Sequence, residues 1–150
     1  MDAEGYSQRQ SSSEPSLPTY VLDSFALIAF FEGEESAEVV QEILEKADKE
    51  EAKAMISLID LGEVAYITER EQGLGGAQAM LSAVQQLPLQ ILPVDQDAVF
   101  AAAHIKANHQ ISFADAFAAA AARTFDGTLL TGDSEFQSVG ESIRIQWLSR

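Results

Sequence analysis

The sequence predicts an α/β domain: a central parallel sheet covered by helices on both faces. Three observations lead there. Short apolar runs alternate with helix-patterned segments along the chain, the order that produces crossover-connected parallel strands. The first run, Tyr20-Val21-Leu22, is continuously apolar, as expected of a strand buried on both faces. Two such runs also stop at an acid where the chain turns, at Asp23 and at Asp133.

Taken in order, residues 1–18, with Ser11-Ser-Ser-Glu-Pro-Ser-Leu-Pro18, read as a flexible tail, and residues 19–150 as the folded domain. After the first strand, Ser24 is the expected N-cap of an apolar helix running to Phe31 and stopping near Gly33. Val39, Val40, Ile43, Leu44 and Ala47 then recur at helical spacing, leaving an acidic outer face. A second strand is expected at Ala54–Ser57, and a helix from Ser57 to Thr68. Ser57 and Asp60 have the form of a capping box, which gives Asp60 a structural job. Gly73 to Gly76 predict a turn and Ala77 to Leu87 a further helix.

Leu89–Val94 is the third expected strand, with Pro93 at its end, and Asp95–Ala107 the helix after it. Ile111-Ser-Phe-Ala-Asp115 opens a helix so rich in alanine that it must be buried against the sheet. Ser112 and Asp115 again have capping-box spacing. Thr128-Leu-Leu-Thr-Gly-Asp133 predicts the fourth strand and Ile143–Trp147 an alternating edge strand.

Composition narrows the function classes. A chain of 150 residues, 47% hydrophobic, suits one core. No apolar run approaches the ~20 residues of a membrane helix, and the acidic start is unlike a signal peptide, so a cytoplasmic protein away from membranes is expected. Without cysteine there is neither disulfide nor thiolate zinc site, and His104 and His109, read as surface or packing residues, are too few for a histidine cage. Any metal must be oxygen-bound, which favours Mg²⁺ or Mn²⁺. The formal charge of −15, from 24 acids and 9 bases, is the opposite of a nucleic-acid binder's footprint.

Against that charge stand four acids. Asp23 and Asp133 follow strands, the edge where ligands bind in open parallel sheets. Asp23 taken alone could simply punctuate its turn. Glu63, with Ile59, Tyr66 and Ile67 around it, lies on an apolar stripe where a carboxylate needs a partner. Asp115 sits in the first turn of a buried helix, whose dipole favours its ionised form. In a parallel sheet all four converge, and four carboxylates cannot remain ionised together without a cation. Such a centre activates water for displacement at a phosphodiester.

Val21-Leu-Asp23-Ser-Phe-Ala-Leu-Ile-Ala, Ser57-Leu-Ile-Asp-Leu-Gly-Glu63-Val, Ile111-Ser-Phe-Ala-Asp115-Ala and Leu129-Leu-Thr-Gly-Asp133-Ser-Glu-Phe136 together resemble the four motif blocks of PIN-domain nucleases. The similarity is greatest to the VapC-like toxins of toxin–antitoxin modules, and it covers residues 19–148. It implies a three-layer α/β/α domain and an Mg²⁺- or Mn²⁺-dependent endoribonuclease acting on RNA. It implies Asp23, Glu63, Asp115 and Asp133 as catalytic metal ligands, with Thr131 as a supporting group beside Ser24. A homodimer and a small antitoxin partner are further implications. The acidic charge and the tail depart from the family pattern. Two alternatives stay open: a non-catalytic PIN-fold interaction module, and an RNA-processing nuclease outside any toxin–antitoxin system. A dehalogenase-type phosphatase would want an acid at Phe25. A phospho-receiver would want a lysine later than Lys106.

Overall fold

A computed structural model of the chain describes residues 16–149. The expected tail lies outside the described residues except for 16–18, which are irregular. The elements are β1 (Thr19–Leu22), α1 (Ser24–Glu32), α2 (Ala37–Asp48), β2 (Lys53–Ser57), α3 (Leu58–Gln85), β3 (Gln90–Leu92), α4 (Gln96–Asn108), α5 (Phe113–Thr124), β4 (Thr128–Thr131), a 3₁₀ turn (Ser134–Val139) and β5 (Arg144–Trp147).

All five strands are parallel, in the order β3-β2-β1-β4-β5. Strand side chains alternate between two cores, which is why the runs are apolar at every position. Val21, Met55 and Leu129 face α4 and α5; Leu22, Ile56 and Leu130 face α1, α2 and α3. Apart from Ala114 the alanines of α5 are buried, and their small side chains let that helix lie close on the sheet. The expected α/β class with a parallel sheet is therefore what the chain adopts.

Two local expectations differ. Asp23, not Ser24, is the N-cap of α1: its Oδ1 accepts from the Ala26 N–H at 2.9 Å, and Ser24 is the first helical residue. The turn expected over Gly73–Gly76 contracts to one residue. Gly73 alone leaves helical geometry (φ 82°, ψ 174°), kinking α3 while the helix resumes at Leu74. A positive φ is what glycine tolerates at no steric cost.

β1 sits beside β4, although β2 follows it in sequence. The chain thus leaves β1 in one direction and returns to β4 on the other side. Between their C-terminal ends is the crevice at which this topology exposes a binding site.

Candidate metal centre

The crevice begins with Asp23, 1% exposed at the end of β1. Its Oδ1 caps α1, and its Oδ2 accepts from the Thr131 hydroxyl at the end of β4. Thr131 is itself fully buried and accepts from the Asp133 N–H at 3.0 Å. One hydroxyl therefore ties the two strand ends together. Next to it, Gly132 lies against the Phe25 ring so closely that a Cβ there would collide with it. Glycine is what lets the β4 end approach α1.

From the opposite side α3 starts directly at the end of β2, with no intervening loop. Ser57 caps it by accepting from the Ile59 N–H at 3.1 Å. Glu63, one turn on, is half-buried and accepts from the Ser24 hydroxyl at 2.6 Å. Since Asp23 takes the capping role, the Ser24 hydroxyl is free to orient Glu63.

Asp60 does not do what its spacing suggests. It is 0% exposed, and neither carboxylate oxygen has a hydrogen-bond partner, so the acid half of the capping box is absent. The buried stripe of α3 runs through Asp60, Leu61 and Val64, with Glu63 at its border. Burial first, then the charges of Asp23, Asp115 and Glu63, raise the Asp60 pKa well above the carboxylate range; the nearby Ser24 N–H only partly offsets this.

The α5 start behaves differently. Ser112 accepts from the Asp115 N–H at 3.1 Å, while the Ser112 N–H donates to Glu135 Oε1 at 2.6 Å. Glu135 thus fills the place the Asp115 carboxylate would occupy in a reciprocal box. Asp115, 7% exposed, turns its carboxylate to the crevice acids. Its pKa rises to about 7, chiefly from burial and then from Glu135, Asp133, Asp23 and Glu63. Asp23 rises to about 7 as well: burial dominates, the Thr131 and Ala26 hydrogen bonds oppose it, and Asp133 adds to it. Asp133 caps the 3₁₀ turn, accepting from the Glu135 N–H at 2.9 Å.

Carboxylate oxygens of Asp60, Glu63 and Asp115 lie within 4.8 Å of one another, and so do those of Asp115, Asp133 and Glu135. Asp115 belongs to both groups. Asp23 stands outside them, near enough for its charge to act on Asp60 and Asp115. The four acids singled out in the sequence are thus neighbours, with Thr131 and Ser24 bonded to two of them. Two more were missed. Glu135 follows Asp133 by two residues in the same turn, and Asp60 has Val64 and Ile67 at helical spacing below it.

Among the described residues the one ion pair is Arg144–Asp126, so no base compensates this centre. An all-oxygen donor set, an unpartnered buried carboxylate and mutually raised pKa values suit a hard divalent cation.

The chain matches the PIN domain family over residues 20–142. No curated protein matches it. A crystal structure of VapBC2 from Rickettsia felis, bound to a promoter DNA fragment, is similar with a TM-score of 0.69 at 18% identity, over 87% of this chain and 99% of that one. A toxin–antitoxin complex from Klebsiella pneumoniae gives 0.64 at 19% identity, over 85% and 95%. VapC20 from Mycobacterium tuberculosis, a toxin that cleaves the sarcin–ricin loop, gives 0.63 at 20%, over 81% and 95%. At these identities the three structures speak for the fold.

Proposed function

This chain belongs to the PIN domain family, and on that premise we propose that it is a metal-dependent endoribonuclease, the toxin of a toxin–antitoxin pair. The observation that carries the reading is the gathering of Glu63, Asp115 and Asp133 in two overlapping acid groups, with Asp23 beside them, at the switch point of the sheet and with no base among the described residues to neutralise them. These four acids would hold Mg²⁺ or Mn²⁺. A bound cation of this kind supplies a water nucleophile at neutral pH and offsets charge on the phosphodiester.

The remaining work falls to the protein. Thr131 donates to Asp23, and a carboxylate with two such bonds still has further lone pairs to offer a cation. Ser24 donates to Glu63 Oε1, holding one rotamer of a long side chain and leaving Oε2 available as a ligand. Glu135 secures the α5 start, so that Asp115 need not. Burial of Asp23 and Asp115 keeps both protonated up to about pH 7 when no cation is present. Cation binding must then displace protons, so cleavage should rise with pH toward neutrality.

A small antitoxin and a homodimer complete the proposal; the Klebsiella relative's occurrence in a toxin–antitoxin complex supports the first. The test is cleavage of RNA by the purified full chain. EDTA should abolish it, Mn²⁺ or Mg²⁺ should restore it, and Asp23→Asn should be inactive but folded. Cleavage that survives EDTA or that substitution would overturn the assignment.

A further inference from the structure

Resting on the divalent-cation centre proposed above, we propose that Asp60 is a fifth cation ligand, forming an inner site with Glu63 and Asp115. Among the described residues Asp60 is the one buried side chain whose polar atoms have no hydrogen-bond partner. Buried carboxyl groups are otherwise almost always paired, and an orphan calls for an explanation, of which a bound ion is one. The one backbone donor near Asp60, the Ser24 N–H, falls short of a hydrogen bond to either oxygen.

No structural role claims the group either. The start of α3 is already capped by the Ser57 hydroxyl, and the only ion pair among the described residues lies elsewhere, between Arg144 and Asp126. Donor distances suit the proposal. Oxygens of Asp60, Glu63 and Asp115 fall within 4.8 Å of one another. Two oxygens on opposite sides of an octahedral Mg²⁺ are about 4.2 Å apart, so a small closure completes the site. Asp60 and Glu63 stand three residues apart on one helix, which fixes two of the three donors relative to each other.

The other acidic group is weaker as a cation cage. Asp133 Oδ1 is engaged by the Glu135 N–H, and Glu135 Oε1 by the Ser112 N–H. Those bonds explain why two of its three acids are where they are. Nothing comparable explains Asp60. The chain has placed an unpartnered carboxylate where a cation held with Glu63 and Asp115 would balance it.

The test measures binding apart from activity. Mn²⁺ is titrated calorimetrically into the full chain and into Asp60→Asn, and both are melted in EDTA and in Mn²⁺. The variant should melt higher than the parent in EDTA and bind Mn²⁺ about tenfold more weakly or worse. It should also lose most of the Mn²⁺-induced rise in melting temperature. Parental affinity in a folded Asp60→Asn would overturn the role of Asp60 while leaving the centre standing. Failure of the parent to bind Mn²⁺ at all would overturn both. Should Asp60→Asn not fold, anomalous diffraction from Mn²⁺-soaked crystals of the parent decides directly. A peak about 2.2 Å from an Asp60 oxygen is expected. A peak held by the other acids alone, with Asp60 out of reach, overturns the proposal.

Discussion

Helices α3 and α5 begin with the same four-residue signal, a serine followed three residues later by an aspartate, and the fold uses the two differently. In both, the serine does the capping: Ser57 accepts from the Ile59 N–H and Ser112 from the Asp115 N–H. In neither does the aspartate reach back to the serine's own N–H. At α5 that donor goes to Glu135, and Asp115 stays slightly open to solvent among the crevice acids. At α3 the cap residue is also the last residue of β2, so the first helical turn abuts the sheet and Asp60 is sealed off without a partner. A capping-box spacing thus reports the serine's job reliably and says little about the acid's. What decides the acid is which groups lie opposite the helix start.

The sharpest way to break the comparison is to remove the charge from one acid while keeping its shape. Asp115→Asn should lower RNA cleavage in Mn²⁺ by more than about a hundredfold, since removing even an outer partner of a ligand costs 10–100-fold. Its melting temperature in EDTA should hold or rise, because a repelled, buried charge is gone. If single-turnover cleavage is normal, Asp115 serves its helix and not the centre.

The next effect is a pH dependence of opposite sign to most acid pairs. Asp23 and Asp115 keep their protons to about pH 7 when folded, whereas an unfolded aspartate loses its proton near 3.8. Between these values the folded state binds more protons, so stability in EDTA must fall as pH rises from about 4 to 7. Over that window the loss should be on the order of a few kcal/mol. Saturating Mn²⁺ should flatten the fall by compensating the ionised acids. Denaturant melts at several pH values, with and without Mn²⁺, check both. A stability in EDTA that climbs with pH over this range would mean that these carboxyls are better solvated than the fold indicates.

Smaller effects test the caps themselves. Ser57→Ala and Ser112→Ala should each cost about 1 kcal/mol (range 0.5–2), a drop of a few degrees in melting temperature. Both variants should still bind Mn²⁺, which separates the serine's work from the acid's. Smallest of all, Glu135→Gln keeps an acceptor for the Ser112 N–H and should change stability by less than about 0.5 kcal/mol. It removes the largest charge acting on Asp115, so the midpoint of the pH-dependent stability loss should move down. An unmoved midpoint would show that Glu135 acts on Asp115 through geometry alone.

Much of this could be seen before folding. The continuous apolar runs at Tyr20–Leu22 and Leu129–Leu130 indicated doubly buried strands, and those residues divide between the two cores. The alanines of α5 indicated a buried helix. Strand-end acids at Asp23 and Asp133 indicated the edge of a parallel sheet. Asp60 was misassigned because the capping spacing offered a sufficient local cause, although Leu61, Val64 and Ile67 already outlined an apolar stripe containing it. Ser24 was assigned the cap because serine and aspartate are nearly equal at that position. The local Ala26 N–H goes to Asp23, and the tertiary partner Glu63 takes the Ser24 hydroxyl, which separates them.

By itself, then, the sequence determined the α/β class, the alternation that packs both faces of the sheet, and the presence of acids at the strand ends. All of these follow from periodicity and from short-range backbone chemistry, which act within a few residues. The tertiary structure decided which acids are paired, capped or stranded. That depends on burial and on charges brought together from residues 23, 60, 63, 115, 133 and 135. Electrostatic free energy rises steeply as water is excluded. Exclusion of water is a property of the assembled crevice, which no local stretch of chain possesses.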